Sequence, residues 1–221
     1  MKKTTEKNKK TTKKVAKITK VKYSEIVKAP YSDGAITRDD FPGFKEDYLA
    51  IHSILRKYKP TMVLEIGTSM GTGTNIICNA MNVRKGLIGQ IFDRKKVISI
   101  DVPPGTDPSI IYPDGEDGHP VRPGANCTFP FTQLFGSSIK FDFKPYYPID
   151  SWFIDGKHDY EYCSKDTKQA LKSDPDLIIW HDMQIKEVYD AVADAMFDKG
   201  YTIEWVDKTR VAYAVKKQLN D

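Results

Sequence analysis

Two stretches carry most of the chemistry this chain offers. WFIDGKHDYE, residues 152–161, begins as an apolar run and ends on Asp155, Lys157, His158, Asp159 and Glu161. LIIWHDMQ, residues 177–184, ends in the same way on His181 and Asp182. If the two apolar runs are neighbouring parallel strands, Asp155 and Asp182 converge at their carboxyl ends. Carboxylates brought to one point repel unless a cation or proton lies between them. An oxygen-rich site of that kind suits a hard divalent cation such as magnesium. His158 lies three residues after Asp155, and an imidazole can take up a proton near neutral pH. His158 is therefore the candidate general base, with Asp155 beside it at the reacting centre. The plainer alternatives are that Asp182 caps a helix, that backbone amides hold Asp155, and that His158 is a surface group. His181 should point to the opposite strand face from Asp182 and reads as structural. His119, in DGEDGHP, is a rival base or ligand. Asp159 and Glu161 open a helix, where acids complement its dipole.

A third stretch, VLEIGTSMGTGTN (63–75), is an apolar run entering a loop with Gly67, Gly71 and Gly73. Glycines there let backbone approach a ligand closely. The spacing G-x-x-x-G-x-G is not the dinucleotide pattern, and no Lys-Ser/Thr pair follows, which argues against a nucleoside triphosphate. A turn that needs glycine only for its shape is the simpler reading.

The elements that must position these residues follow from periodicity. Phe44, Tyr48, Ile51, Ile54, Leu55 and Tyr58 recur at helical spacing before Lys59-Pro60. Apolar strands are expected at 61–66, 96–101, 132–136, 151–155 and 176–182. Helices are expected at 75–81, 160–172 and 185–198, and YTIEWV and RVAYAVK form a closing antiparallel pair. The fold class is α/β: a doubly wound, Rossmann-like, mostly parallel seven-stranded sheet with an antiparallel C-terminal hairpin and helices on both faces. Residues 103–130 hold seven of the thirteen prolines, and a connection that long points to a lid or insertion loop.

With 221 residues and 40% hydrophobic content, the chain has enough for one domain and no apolar run long enough to span a membrane. A basic start without an apolar region after it argues against a secretory signal. Cys78, Cys127 and Cys163 are odd in number and scattered, which fits free thiols in the cytoplasm. Residues 1–28 carry eleven lysines against Glu6 and Glu25, or +9; the whole chain is +4, so 29–221 carries −5. The expected organisation is a disordered basic tail, 1–28, and a single domain, 29–221. The tail is either a solvated arm or a grip for nucleic acid or an anionic surface. A homo-oligomer stays open.

VLEIGTSMGTGT, together with WFIDGKHDYE and LIIWHD, resembles the motifs of class I S-adenosylmethionine-dependent methyltransferases, in the small-molecule (sugar and catechol) O-methyltransferase branch. The resemblance spans residues 44 to 215. It implies that Glu65, Gly67, Thr68, Ser69, Gly71 and Gly73 cradle the methionine end of S-adenosyl-L-methionine, with Asp155 at the same site. It further implies that Asp101, ending the second strand, accepts the ribose hydroxyls, and that Ser137 and Ser138 lie at adenine. Similar enzymes hold a divalent metal with two such acids and an amide oxygen; here that set is Asp155, Asp182 and Gln184, with Met183 intervening. The 29–44 and 103–130 segments mix Tyr, Asp, Arg and Pro, which suits a polar acceptor: a sugar, glycan or glycosylated small molecule. An RNA or protein methyltransferase of the same fold, an inactive binding module, and an NAD-dependent oxidoreductase are the rivals.

Overall fold

The computed structural model describes residues 14–27, 44–85, 94–104 and 123–217. The strands are β1 (Ile18–Val21), β2 (Met62–Ile66), β3 (Lys96–Asp101), β4 (Thr132–Phe135), β5 (Ser151–Ile154), β6 (Leu177–Trp180), β7 (Tyr201–Val206) and β8 (Ala212–Lys216). The helices are α1 (Tyr23–Ile26), α2 (Lys45–Tyr58), α3 (Thr72–Ala80), α4 (Tyr160–Leu171) and α5 (Lys186–Ala195). His119 and most of the expected lid lie outside the described residues, as do 29–43.

The sheet runs β1-β7-β8-β6-β5-β2-β3-β4, parallel except where β8 pairs with β6 and β7. From β2 the chain steps outward through β3 to β4, then returns to β5 on the other side of β2. The β2–β5 boundary is thus the topological switch point, and ligands in such sheets bind beyond the carboxyl ends there. The apolar runs read as continuous because both faces are covered. Leu64, Ile66, Trp152 and Ile154 pack toward α4 and α5, while Val63, Phe153 and Ile179 pack toward α2 and α3.

Two features tie the switch point together. Asp150, before β5, accepts from Thr61 N (2.8 Å), Thr61 Oγ1 (2.7 Å) and Met62 N (2.9 Å), fixing the start of β2. Gly67 follows β2 at φ 96, and a side chain there would lie 2.1 Å from the Asp155 carbonyl. The loops after β2 and β5 therefore touch, backbone to backbone, only because residue 67 is glycine.

Among the described residues the sheet has eight strands, not the seven expected. The extra strand, β1, and the short helix α1 come from the lysine-rich segment expected to be disordered. β1 pairs parallel with β7, Ala16 N donates to Ala193 O (2.8 Å), and Asp207 N donates to Val21 O (2.8 Å). Its lysines mask two apolar contacts, Ile18 on the cluster of α4 and α5 and Val21 on that of α2 and α3, while Lys17, Thr19 and Lys20 are exposed. As an edge strand it keeps charged side chains outward, which discourages edge pairing. Deleting residues 1–21 uncovers β7 and should lower the melting temperature by about 5 °C in calorimetry. A deletion of 1–13 should leave it within about 1 °C; equal melting of both variants would show that β1 adds nothing.

Candidate active site

The glycine loop is built from tethers on three strands. Thr68 Oγ1 bonds Ser99 Oγ on β3 (2.6 Å) and accepts from Gln133 Nε2 on β4 (3.0 Å). Ser69, at φ 45, donates its N–H to Asp101 Oδ2 (2.7 Å), and Val102 N donates to Asp101 Oδ1 (2.7 Å). Asp101 thus ends β3 as expected and clamps the loop. Gly71, at φ 84, precedes α3 and lies against the backbone of Gly124. Glu65 is 0% exposed and turns behind the loop, where Thr74 Oγ1 donates to its Oε2 (2.5 Å). Its Oε1 has no hydrogen-bond partner among the described residues, and a Cβ on Gly73 would sit 2.8 Å from it. Burial pushes the Glu65 carboxyl up to about 8, which favours its protonated form.

Beyond this loop lies a cleft of about 330 Å³. Gly67, Thr68, Ser69 and Gly73 line one wall; Asp155, His158, His181 and Asp182 form its end; Phe44, Tyr48 and Arg210 close the other side. Asp155 and Asp182 do converge. One ligand atom each from Asp155, His158 and Asp182 lies within 4.8 Å of the other two. His158 Nε2 is 3.0 Å from Asp182 Oδ2 and 3.7 Å from Asp155 Oδ1. Its side chain is 47% exposed, so a ligand can reach it.

His181 does not point away from Asp182. β6 stops at Trp180, and Asp182 takes a left-handed φ of 53, so the alternation that governs a strand no longer applies. His181 Nδ1 lies 3.2 Å from both Asp155 Oδ1 and Asp182 Oδ2. Its Nε2 meets Asp47 Oδ2 on α2 at 3.1 Å. Asp47 also accepts from Arg210 N (2.8 Å) and Nε (2.7 Å), and the Arg210 guanidinium stacks 3.7 Å above the Phe44 ring. A non-glycine residue held at positive φ beside reactive groups is a common mark of a functional site.

The charges explain one another. Burial opposes the cationic form of His181, yet hydrogen bonds to Asp155, Asp182 and Asp47 push it up to about 11. Hydrogen bonds to Asp155 and Asp182 raise His158 to about 9. Burial pushes Asp182 upward, but bonds from His158, His181 and Gln184 outweigh it and hold the carboxyl well below its usual range. For Asp47, burial likewise loses to His181 and Arg210, and the net shift is downward.

The remaining site expectations fall as follows. Gln184 presents its Nε2 to Asp182 Oδ1 (2.9 Å), so its amide nitrogen serves that carboxylate as a donor. Ser137 and Ser138 open a short 3-10 turn after β4 with no capping bond from Ser137. They do not line the cleft. Asp159 caps α4 by accepting from Tyr162 N (2.9 Å). Asp47 and Arg210 were not singled out in the sequence, whereas His181 was read there as a structural residue. Asp47 reads there as one acid in a helix's first turn, and only the fold brings residues 47 and 210 together.

No family model matches the sequence, and no curated protein matches it. Solved structures do resemble it in fold. SAH-bound methyltransferase PaMTH1 from Podospora anserina superposes with a TM-score of 0.56 at 12% identity, covering 89% of this chain and 92% of that one. CalS11, a TDP-rhamnose 3′-O-methyltransferase of calicheamicin biosynthesis, gives 0.54 at 10%, covering 90% and 91%. MycE, crystallised with Mg, SAH and mycinamycin VI, gives 0.51 at 14%, where 91% of this chain matches 56% of that one. The chain has the fold of S-adenosylmethionine-dependent O-methyltransferases.

In the metal-free protein, an NMR titration should place the His158 midpoint near 9, against an ordinary 6.5. Asp182→Asn removes one of the two carboxylates that favour the proton, so the midpoint should fall by about one unit or more. A midpoint near 6.5 in the unmodified protein would mean that His158 does not meet the carboxylates in solution.

Proposed function

We propose that the protein is an S-adenosylmethionine-dependent O-methyltransferase, assisted by a divalent metal, acting on a hydroxyl of a sugar, glycan or glycosylated small molecule. One observation carries the reading. A reachable imidazole and two carboxylates meet at the end of a glycine-walled cleft, at the switch point of a methyltransferase-like sheet.

The residues present fit both groups. The donor needs close backbone approach, which Gly67 and Gly73 allow on the cleft wall, and a carboxylate at the end of β3 for its ribose, the position of Asp101, whose oxygens here accept from Ser69 N and Val102 N. When bound, the donor brings a methyl group on a positive sulfur. The metal site has two carboxylates whose oxygens lie within one coordination sphere of each other. Asp155 and Asp182 would hold the ion, and its chemistry there is to orient the acceptor hydroxyl and lower its pKa.

The chain's own part is proton transfer and orientation. His158 faces the cleft and takes the hydroxyl proton as the acceptor oxygen attacks the methyl carbon. The bound donor would supply the methyl group, with the electron pair of its C–S bond remaining on sulfur. His158 can accept only when deprotonated, so a group raised to about 9 would work better as pH rises through that value. His181, buried and bonded on both nitrogens, holds the carboxylates in place. Phe44 and Tyr48 offer an apolar face on which a sugar's C–H groups can rest, while Arg210 and the carboxylates meet its hydroxyls. CalS11, named as a TDP-rhamnose 3′-O-methyltransferase, supports a sugar hydroxyl as acceptor.

The decisive experiment supplies labelled methyl donor with a panel of sugars, nucleotide-sugars, glycosides, catechols and RNA. Label on a glycosidic hydroxyl is the expected result; label only on RNA, or on nothing although the donor binds, overturns the reading. His158→Ala should cut turnover by about 10²-fold or more while donor affinity in calorimetry changes by less than about twofold. Asp101→Ala should weaken donor binding about tenfold or more, with a chelator-treated sample as control for the metal.

A further inference from the structure

We propose that Asn75 is a positioning residue for the methyl donor: through the strap of residues 123–131 it holds the Ser69–Met70 turn of the glycine loop in the shape that the donor binds. This role rests on the donor reading above and on neither the acceptor nor the metal.

Ser69 and Met70 line the cleft. Ser69 is exposed and sits at φ 45, a left-handed conformation that a residue with a Cβ keeps only when its surroundings fix it. It is held from two sides. Its N–H donates to Asp101 Oδ2 at the end of β3 (2.7 Å). Its carbonyl accepts from Gly124 N (2.9 Å), and the next carbonyl, Met70 O, accepts from Asn126 N (2.8 Å). The Ser69–Met70 peptide is trans, so with its carbonyl on the strap its N–H points the opposite way. The strap thus sets which way a polar group of the cleft wall faces.

The strap has its own supports. Its turn closes where Cys127 N donates to Gly124 O (2.9 Å). Gly124, at φ 79, lies between two surfaces. A Cβ on it would meet the Phe131 ring at 2.4 Å, and a Cβ on Gly71 would lie 2.6 Å from the Gly124 Cα. Lys85 Nζ sits 4.4 Å from the centre of the Phe129 ring, and Phe129 and Phe131 pack on the core cluster of α2 and α3.

The side-chain link from strap to helix is polar. Thr128 N and Oγ1 both donate to Asn75 Oδ1, at 3.0 and 3.2 Å. Asn75 lies in the first turns of α3, and its own N–H donates to Gly71 O (2.9 Å). One residue therefore grips the strap with its side chain and the end of the glycine loop with its backbone. Without the Asn75 side-chain oxygen, the strap lifts more often and Ser69 loses one of its two holds. The donor must then restore the turn as it binds, and its apparent affinity falls by the fraction of time the turn is intact.

The test measures binding of S-adenosylmethionine and S-adenosylhomocysteine to the full chain by calorimetry, with amide exchange read at Gly124 and Asn126 in the ligand-free protein. Asn75→Ala should speed exchange at both amides by about tenfold. It should weaken both ligands by about fivefold. Asn75→Asp keeps an acceptor for Thr128 and should restore both readings. Faster exchange with unchanged affinity would show that the strap does not shape the donor site. Weaker binding with unchanged exchange would show that Asn75 acts on the donor directly. Either result overturns the positioning role alone, whereas an unmodified protein that binds neither ligand overturns the donor reading along with it.

Discussion

His181 is 5% exposed, with Nε2 3.1 Å from Asp47 and Nδ1 3.2 Å from both Asp155 and Asp182. Each of those acids belongs to a different part of the chain: a helix before the sheet, the end of β5 and the end of β6. Three carboxylates this close would repel strongly at low dielectric. A buried imidazolium, reinforced by Arg210 on Asp47, turns that repulsion into mutual attachment. Removing one member of such a cluster leaves an uncompensated buried charge, which costs more than the contact itself contributes. The cleft's shape thus rests on a charge balance, and the same balance anchors α2, β6 and the C-terminal hairpin to one another.

Much of this was legible in the sequence because it depends on local pattern. The apolar runs before Gly67, Asp101, Asp155 and Asp182 mark parallel strands, and acids at their ends are placed by the fold whatever the loops do. The departures have physical causes. His181 was assigned to the far face because strand alternation was carried past Trp180, where β6 ends, and Asp182 then takes φ 53. β1 was read as disordered because lysines dominate the segment around it, although Ile18 and Val21 pack on the two faces of the sheet. Asp47 and Arg210 could not have been found, since their bond joins residues 163 apart and neither stands in a distinctive motif.

Gln184 shows the limit of carrying a motif across by position. An amide two residues after the acid is near enough to reach the site, but its direction depends on where the backbone turns. Here the turn that gives Asp182 its positive φ brings Gln184 back onto Asp182 Oδ1 as a donor. That bond removes one lone-pair direction from the carboxylate and leaves Oδ2 to face His158 and His181. The acid is therefore aimed at the imidazoles by its own sequence neighbour.

The carboxylates also link the two chemistries proposed for the cleft. Protons on His158 and a divalent cation would be drawn to the same oxygens, because both answer the same negative charge. While Asp155 and Asp182 are unshielded, they favour the protonated form of His158 and oppose its action as a base. A cation placed between them cancels the field that retains the proton, and a ligand set that must be deprotonated releases it. His181 sets how far this can go: with its Nε2 committed to Asp47, it keeps part of the balancing charge inside the protein, so the cluster never presents its full negative charge to solvent.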